Sequence, residues 1–262
     1  MSLQITQSHI PSFQIHLNSQ FASLLVDSSK RSHVWFVFNE PVRIPRAYKF
    51  LVSLTECAIP CSWYTVNETN NVLTFSEGPP ITLPVGNWDA TSIANYVTIG
   101  GIPCTYVSET NKFQFTRPAQ EPMLYLGPKS TIFGFTGPST AAYNPLLSDT
   151  GIDLSGSRSV FIKTNLVTQN IDSFHKGRSG VLAKIPVDVN PGEILMYSNP
   201  IGFKQAIQTK TINVLEVSVL DESHSEIDFN GLDWSMTLQF DVAQDNDPFV
   251  PDEQVPQLSS EA

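Results

Sequence analysis

The stretch Thr211-Ile212-Asn213-Val214-Leu215-Glu216-Val217-Ser218-Val219 alternates apolar and polar side chains along its length. Successive side chains of a strand point to opposite faces, so this two-residue period describes a strand with one face in a core and the other toward water. Trp234-Ser235-Met236-Thr237-Leu238-Gln239-Phe240-Asp241-Val242 repeats the pattern. Between the two, Asn230-Gly231 is a tight-turn dipeptide. Upstream, residues 160–166, 181–187 and 193–197 are further strand-like runs. Tyr48-Lys49-Phe50-Leu51-Val52-Ser53-Leu54-Thr55-Glu56 is another, stopped by Pro60. The run His33-Val34-Trp35-Phe36-Val37-Phe38-Asn39 is apolar on both parities, and Pro41 and Pro45 end it. One parity lines a core: either Val34, Phe36 and Phe38, or Trp35 and Val37. The other leaves a large apolar side chain in water unless something covers it, and such patches mark contacts. Trp35 and Val37 are therefore candidate interface residues.

Between about residues 63 and 151 the texture changes to short hairpins with frequent Pro and Gly. Strands are expected at Val72-Leu73-Thr74-Phe75, Ile81-Thr82-Leu83, Thr105-Tyr106-Val107 and Phe113-Gln114-Phe115. A short helix is expected after Asp89 or Thr91, with Ile93, Ala94 and Val97 at helical spacing and Gly100-Gly101 at its end. Long strands resume near residue 159. The layout is strands, an inserted unit, then more strands. An all-β fold with a minor α element explains it: one jelly-roll β-sandwich carrying an inserted small β-rich domain. The expected division is 1–62 and 152–243 for the jelly roll, 63–151 for the insertion, and 244–262 for a tail. That tail holds Asp245, Asp247, Pro248, Pro251, Asp252, Glu253 and Pro256 without periodicity, and its expected anchors on a neighbour are Phe249 and Val250.

The 262 residues are 41% hydrophobic but only 15% charged. Average soluble chains carry roughly 25% charged residues, so a surface this poor in charge suits coverage by partners. Net charge is −10, and the longest basic cluster in sequence is Lys30-Arg31. Direct binding to nucleic acid is not expected from this balance. No apolar run reaches the ~20 residues a membrane helix needs, and the start Met1-Ser2-Leu3-Gln4-Ile5-Thr6-Gln7 lacks the basic and apolar regions of a signal peptide. Cys57, Cys61 and Cys104 are odd in number and are expected as buried or partly buried free thiols from a reducing compartment.

Catalytic spacings are missing. His9, His16, His33, His175 and His224 form no His-x-His or His-Glu-x-x-His pattern, and no Gly-x-Ser-x-Gly or phosphate-loop motif is present. Gly177-Arg178-Ser179-Gly180 is too compact for a nucleophile elbow and is expected as a mobile loop. The acidic set Asp221, Glu222, Glu226, Asp228 and Asp233 suggests a calcium site or a glycosidase pair only weakly; a charged strand connection accounts for it better. No catalytic, metal or cofactor residue is assigned.

Several segments resemble one family. Leu17-Asn18-Ser19-Gln20-Phe21, Phe38-Asn39-Glu40-Pro41-Val42-Arg43-Ile44-Pro45 with Ala47-Tyr48-Lys49-Phe50-Leu51-Val52-Ser53-Leu54, and Ile59-Pro60-Cys61-Ser62-Trp63-Tyr64-Thr65-Val66-Asn67 occur in that order. Leu83-Pro84-Val85-Gly86-Asn87-Trp88, Leu182-Ala183-Lys184-Ile185-Pro186-Val187 and Asp228-Phe229-Asn230-Gly231-Leu232-Asp233-Trp234 follow. Together they resemble the penton, or minor capsid, proteins of virophages, polinton-like viruses and related icosahedral DNA viruses. The resemblance implies a single jelly roll with an inserted outer domain. It implies a homopentamer at each five-fold vertex of the virion, surrounded by double-jelly-roll major capsid proteins, with no enzymatic activity. The alternative is a carbohydrate-binding or host-attachment β-sandwich whose insertion carries the binding face. A jelly-roll enzyme is a third, which the histidine spacing argues against.

Overall fold

The computed structural model describes residues 12–76, 78–117, 121–167, 170–172 and 176–245. Phe249, Val250 and His175 lie outside the described residues. Eight strands build the main body: β1 (Phe13–Asn18), β2 (His33–Arg43), β3 (Tyr48–Pro60), β4 (Ser159–Thr164), β5 (Val181–Pro186), β6 (Ile194–Ser198), β7 (Thr211–Leu220) and β8 (Ser235–Gln244). They form two antiparallel sheets in the orders β1-β8-β3-β6 and β5-β4-β7-β2. First pairs with last, second with seventh, third with sixth and fourth with fifth. That is one long hairpin rolled over a core, the jelly-roll arrangement.

Alternation places the core. Phe50, Val52 and Ile59 of β3, Leu215, Val217 and Val219 of β7, and Met236, Leu238 and Phe240 of β8 all face the space between the sheets and are buried. Trp234 closes one end, its indole N–H donating to the Arg31 carbonyl at 2.9 Å and its ring edge-on to Phe36. Asn230 and Gly231 both have positive φ, the backbone that the tight turn requires. Asn230 Nδ2 also donates to the Ser62 carbonyl, and Ser62 Oγ donates to the Phe229 carbonyl at 2.8 Å. This ties the β7–β8 connection to the end of β3.

Residues 61–158 leave the sandwich where the chain crosses from β3 in one sheet to β4 in the other, so no ladder is interrupted. A second hydrophobic cluster runs from Val66 to Ile152. Its strands are short: Val72–Leu73 pairs with Ile81–Thr82, and Lys112–Phe115 sits between Cys104–Val107 and Leu146–Leu147. One helix, α1 (Ala90–Ile99), is capped by the Asp89 carboxylate accepting from the Ser92 N–H at 2.8 Å, and it buries Ile93, Ala94 and Val97. Among the described residues none of these short strands pairs with either large sheet.

The segment expected as a mobile loop is corrected. Gly177–Ser179 is a strand paired with Asn170–Asp172. Gly180 explains why the spacing misled: a Cβ there would lie 2.7 Å from the Thr164 carbonyl oxygen, so the glycine serves close backbone packing.

Candidate functional site

Strand β2 presents the face that sequence patterning singles out. Val34 and Phe36 point into the core and are buried; Trp35 and Val37 point outward. Trp35 is half-buried and Val37 is 57% exposed. The first of the two expected parities is therefore the one that lines the core, with Phe38 packed at its margin. Trp35 lies in register with Glu216 on β7 and with Leu24 on the other side, where Leu24–Leu25 pairs with β2. Leu24 is largely exposed, as is Phe21 in the preceding turn. An apolar strip thus runs from Phe21 through Leu24 to Trp35 and Val37 along the edge of the second sheet.

A groove of about 700 Å³ adjoins this strip, with Phe21, Val37, Phe38, Met236 and Met196 among its lining. Met196 and Ile194 stand on the exposed parity of β6, while Leu195 beneath them is buried. Phe21, Leu24, Ile194 and Met196 were not anticipated from the sequence. The available signal was the run Ile194-Leu195-Met196-Tyr197, which is apolar on both parities just as β2 is.

Next to the strip, His33 bridges two carboxylates. Its Nε2 lies 2.7 Å from Glu216 Oε1 and its Nδ1 lies 3.0 Å from Glu226 Oε1. The three side chains clasp β2, β7 and the β7–β8 connection at the border of the apolar face.

Three more of the acidic residues, Asp221, Asp228 and Asp233, serve local structure. The Asp221 carboxylate accepts from the backbone N–H groups of Ser223 and Ser225, Asp228 accepts from the Asn230 N–H, and Asp233 binds Arg31 and the Ser19 hydroxyl. Among the described residues no group of three His, Cys, Asp or Glu side chains is arranged to hold a metal. Cys57 and Cys61 are buried and Cys104 is half-buried, all three unpaired. Burial pushes the Cys57 and Cys104 thiols up to about 12, so neither is a ready nucleophile near neutral pH.

No protein-family model and no curated protein matches the sequence. Among solved structures, the crystal structure of the mavirus penton protein matches with a TM-score of 0.53 at 9% identity, covering 89% of this chain and 100% of that one. The chain has the fold of a penton protein. At this identity the penton fold is shared through patterning and topology, with few side chains in common.

Proposed function

We propose that the chain is a structural minor capsid protein, a penton, which forms homopentamers closing the five-fold vertices of an icosahedral double-stranded DNA virus capsid. The observation that supports this is the fold match along the full length of a penton chain. In this reading the protein resides in the virion, is assembled inside the infected cell, and meets double-jelly-roll major capsid proteins around the ring. A cyclic ring repeats one heterologous contact until rotation closes it. The apolar strip with Trp35 and Val37 is our candidate for one side of that contact, and Phe249 and Val250 are candidates for gripping a capsid neighbour. Residues 63–151 would form the outer domain, the part of a vertex free to meet a host receptor or glycan. Its own hydrophobic cluster is what such an outer unit needs.

Light scattering and negative-stain imaging of the full-length chain test the reading together. The expected result is a mass near five chains and rings with five-fold symmetry. A monomer that stays monomeric at high micromolar concentration, alone and mixed with major capsid protein, refutes it.

A further inference from the structure

The end of the sandwich opposite the insertion gathers positive charge that is scattered in sequence. The β2–β3 turn carries Arg43 and Arg46, β3 begins with Lys49, and the turn before β7 carries Lys210. Pairing brings them together: Arg43 is in register with Thr211, the Ile44 N–H donates to the Lys210 carbonyl at 3.1 Å, and Lys49 is in register with Ala243. Arg43 and Arg46 are exposed, and among the described residues neither has an ion-pair partner. Glu40 on β2 and Asp241 on β8 are the acids of the strands that reach this end, besides Asp245 beyond β8, and Asp241 is taken by Lys204 at 2.8 Å.

The C-terminal segment leaves from the middle of this cluster. Asp245, just beyond β8, accepts from Lys210 Nζ at 2.9 Å, pairs with Lys49 at 3.6 Å, and donates its N–H to the Ala47 carbonyl. The Lys210 hydrogen bond, with Lys49 beside it, holds the Asp245 carboxyl below the usual carboxylate range. Beyond it the sequence supplies Asp247, Asp252, Glu253 and Glu261, and no Lys, Arg or His. An extended residue spans up to ~3.5 Å, so Asp247 reaches about 7 Å from Asp245 and Asp252 about 25 Å. We infer that the acidic C-terminal segment docks on the basic end of its own chain, with Asp247, Asp252 and Glu253 neutralising Arg43 and Arg46 and shielding that surface from other polyanions, while Phe249 and Val250 between them stay available for the neighbour contact proposed above.

Two measurements on the full-length chain test this. D247N/D252N/E253Q should bind heparin resin and elute at clearly higher salt than the parent, and adding R43E/R46E should abolish that gain, with circular dichroism unchanged in both. In R43K/R46K, a zero-length carbodiimide should cross-link position 43 or 46 to Asp247, Asp252 or Glu253 within single chains. The yield should drop several-fold in 1 M salt, where screening acts within ~3 Å. An unchanged heparin profile for D247N/D252N/E253Q overturns the inference. So do cross-links found only between chains, which would make a second copy the occupant. Binding of a single-stranded oligonucleotide that R43E/R46E abolishes and D247N/D252N/E253Q leaves unchanged also overturns it, assigning the basic end to nucleic acid.

Discussion

The sandwich and the insertion bury apolar surface in different ways. In the sandwich, strands of up to thirteen residues run in long ladders, each of the β2–β7 and β3–β8 pairings broken by one register shift, and much of the core is aliphatic, drawn from alternation along β3, β7 and β8 that changes parity in β3 and β7 at those shifts. In the insertion, strands are two to four residues long, and aromatic rings supply the order that ladders cannot. Tyr125 stacks on Phe135 with centroids 3.8 Å apart, Phe115 lies 5.8 Å from Phe135, and Phe75 lies 5.1 Å from Phe115. A ladder specifies register, because a one-residue slip turns every side chain to the wrong face. A ring cluster specifies position by shape, each ring burying on the order of 150–250 Å². The sandwich should therefore resist loss of one side chain better than the insertion does.

The sharpest way to break this comparison is Phe115→Ala. Phe115 is fully buried at the junction of three ring contacts. Its loss should cost about 3–5 kcal/mol. Amide exchange should accelerate across residues 104–115 and 146–152 while β3 and β8 keep their protection. If protection falls equally in β3 and β8, the two cores unfold as one unit and the contrast is wrong.

Trp35→Ala probes the sandwich from outside, where no ladder is disturbed. We expect a loss of about 2–4 kcal/mol per subunit contact, repeated around the ring, with an unchanged circular dichroism spectrum and no rings in negative stain. Unfolding instead would make Trp35 part of its own domain's core, and persistent rings would move the anchor elsewhere on the apolar strip.

The two high thiols give one probe in each region. A thiol raised from about 9 to about 12 keeps its proton in the folded state while the unfolded chain loses it. Stability is thus fully present below pH 9 and declines as pH rises toward 12, by at most about 1.4 kcal/mol per pH unit for each thiol. Cys57→Ser should flatten the alkaline decline of the sandwich, measured by urea midpoints between pH 8 and 11. Cys104 keeps part of its surface in water, so Cys104→Ser should have the smaller effect. Equal slopes for parent and Cys57→Ser would show that this burial carries no linkage.

The smallest effect is expected at the helix cap. Hydrogen bonds from Ser92 lower the Asp89 carboxyl pKa, so the cap stabilises α1 above the ordinary carboxylate range and is lost as pH falls through the depressed value. Asp89→Ala should lower the melting temperature of the insertion near pH 7 and leave little difference near pH 2. A shift that persists unchanged at low pH would locate the effect in something other than the charge.

Sequence patterning carried some of these features and missed others for definite reasons. Period two is a local property of one strand, so β7 and β8 announced themselves, as did the helix behind Asp89 and the Asn230-Gly231 turn. The exposed apolar residues Phe21, Leu24 and Met196 were invisible because exposure belongs to the packed molecule. Gly177–Ser179 was misjudged for a related reason: a three-residue strand carries too little pattern to outweigh its flanking glycines.

By itself the sequence determined the all-β class, the break in texture near residues 63 and 151, and the two alternative parities of the run 33–39, all of which follow from short-range spacing of apolar side chains. Only the tertiary structure decided that Val34 and Phe36 face inward, that first strand pairs with last, and that Arg43, Arg46, Lys49 and Lys210 share one end. Those are relations between residues far apart in the chain, brought together when two ladders close over a common core.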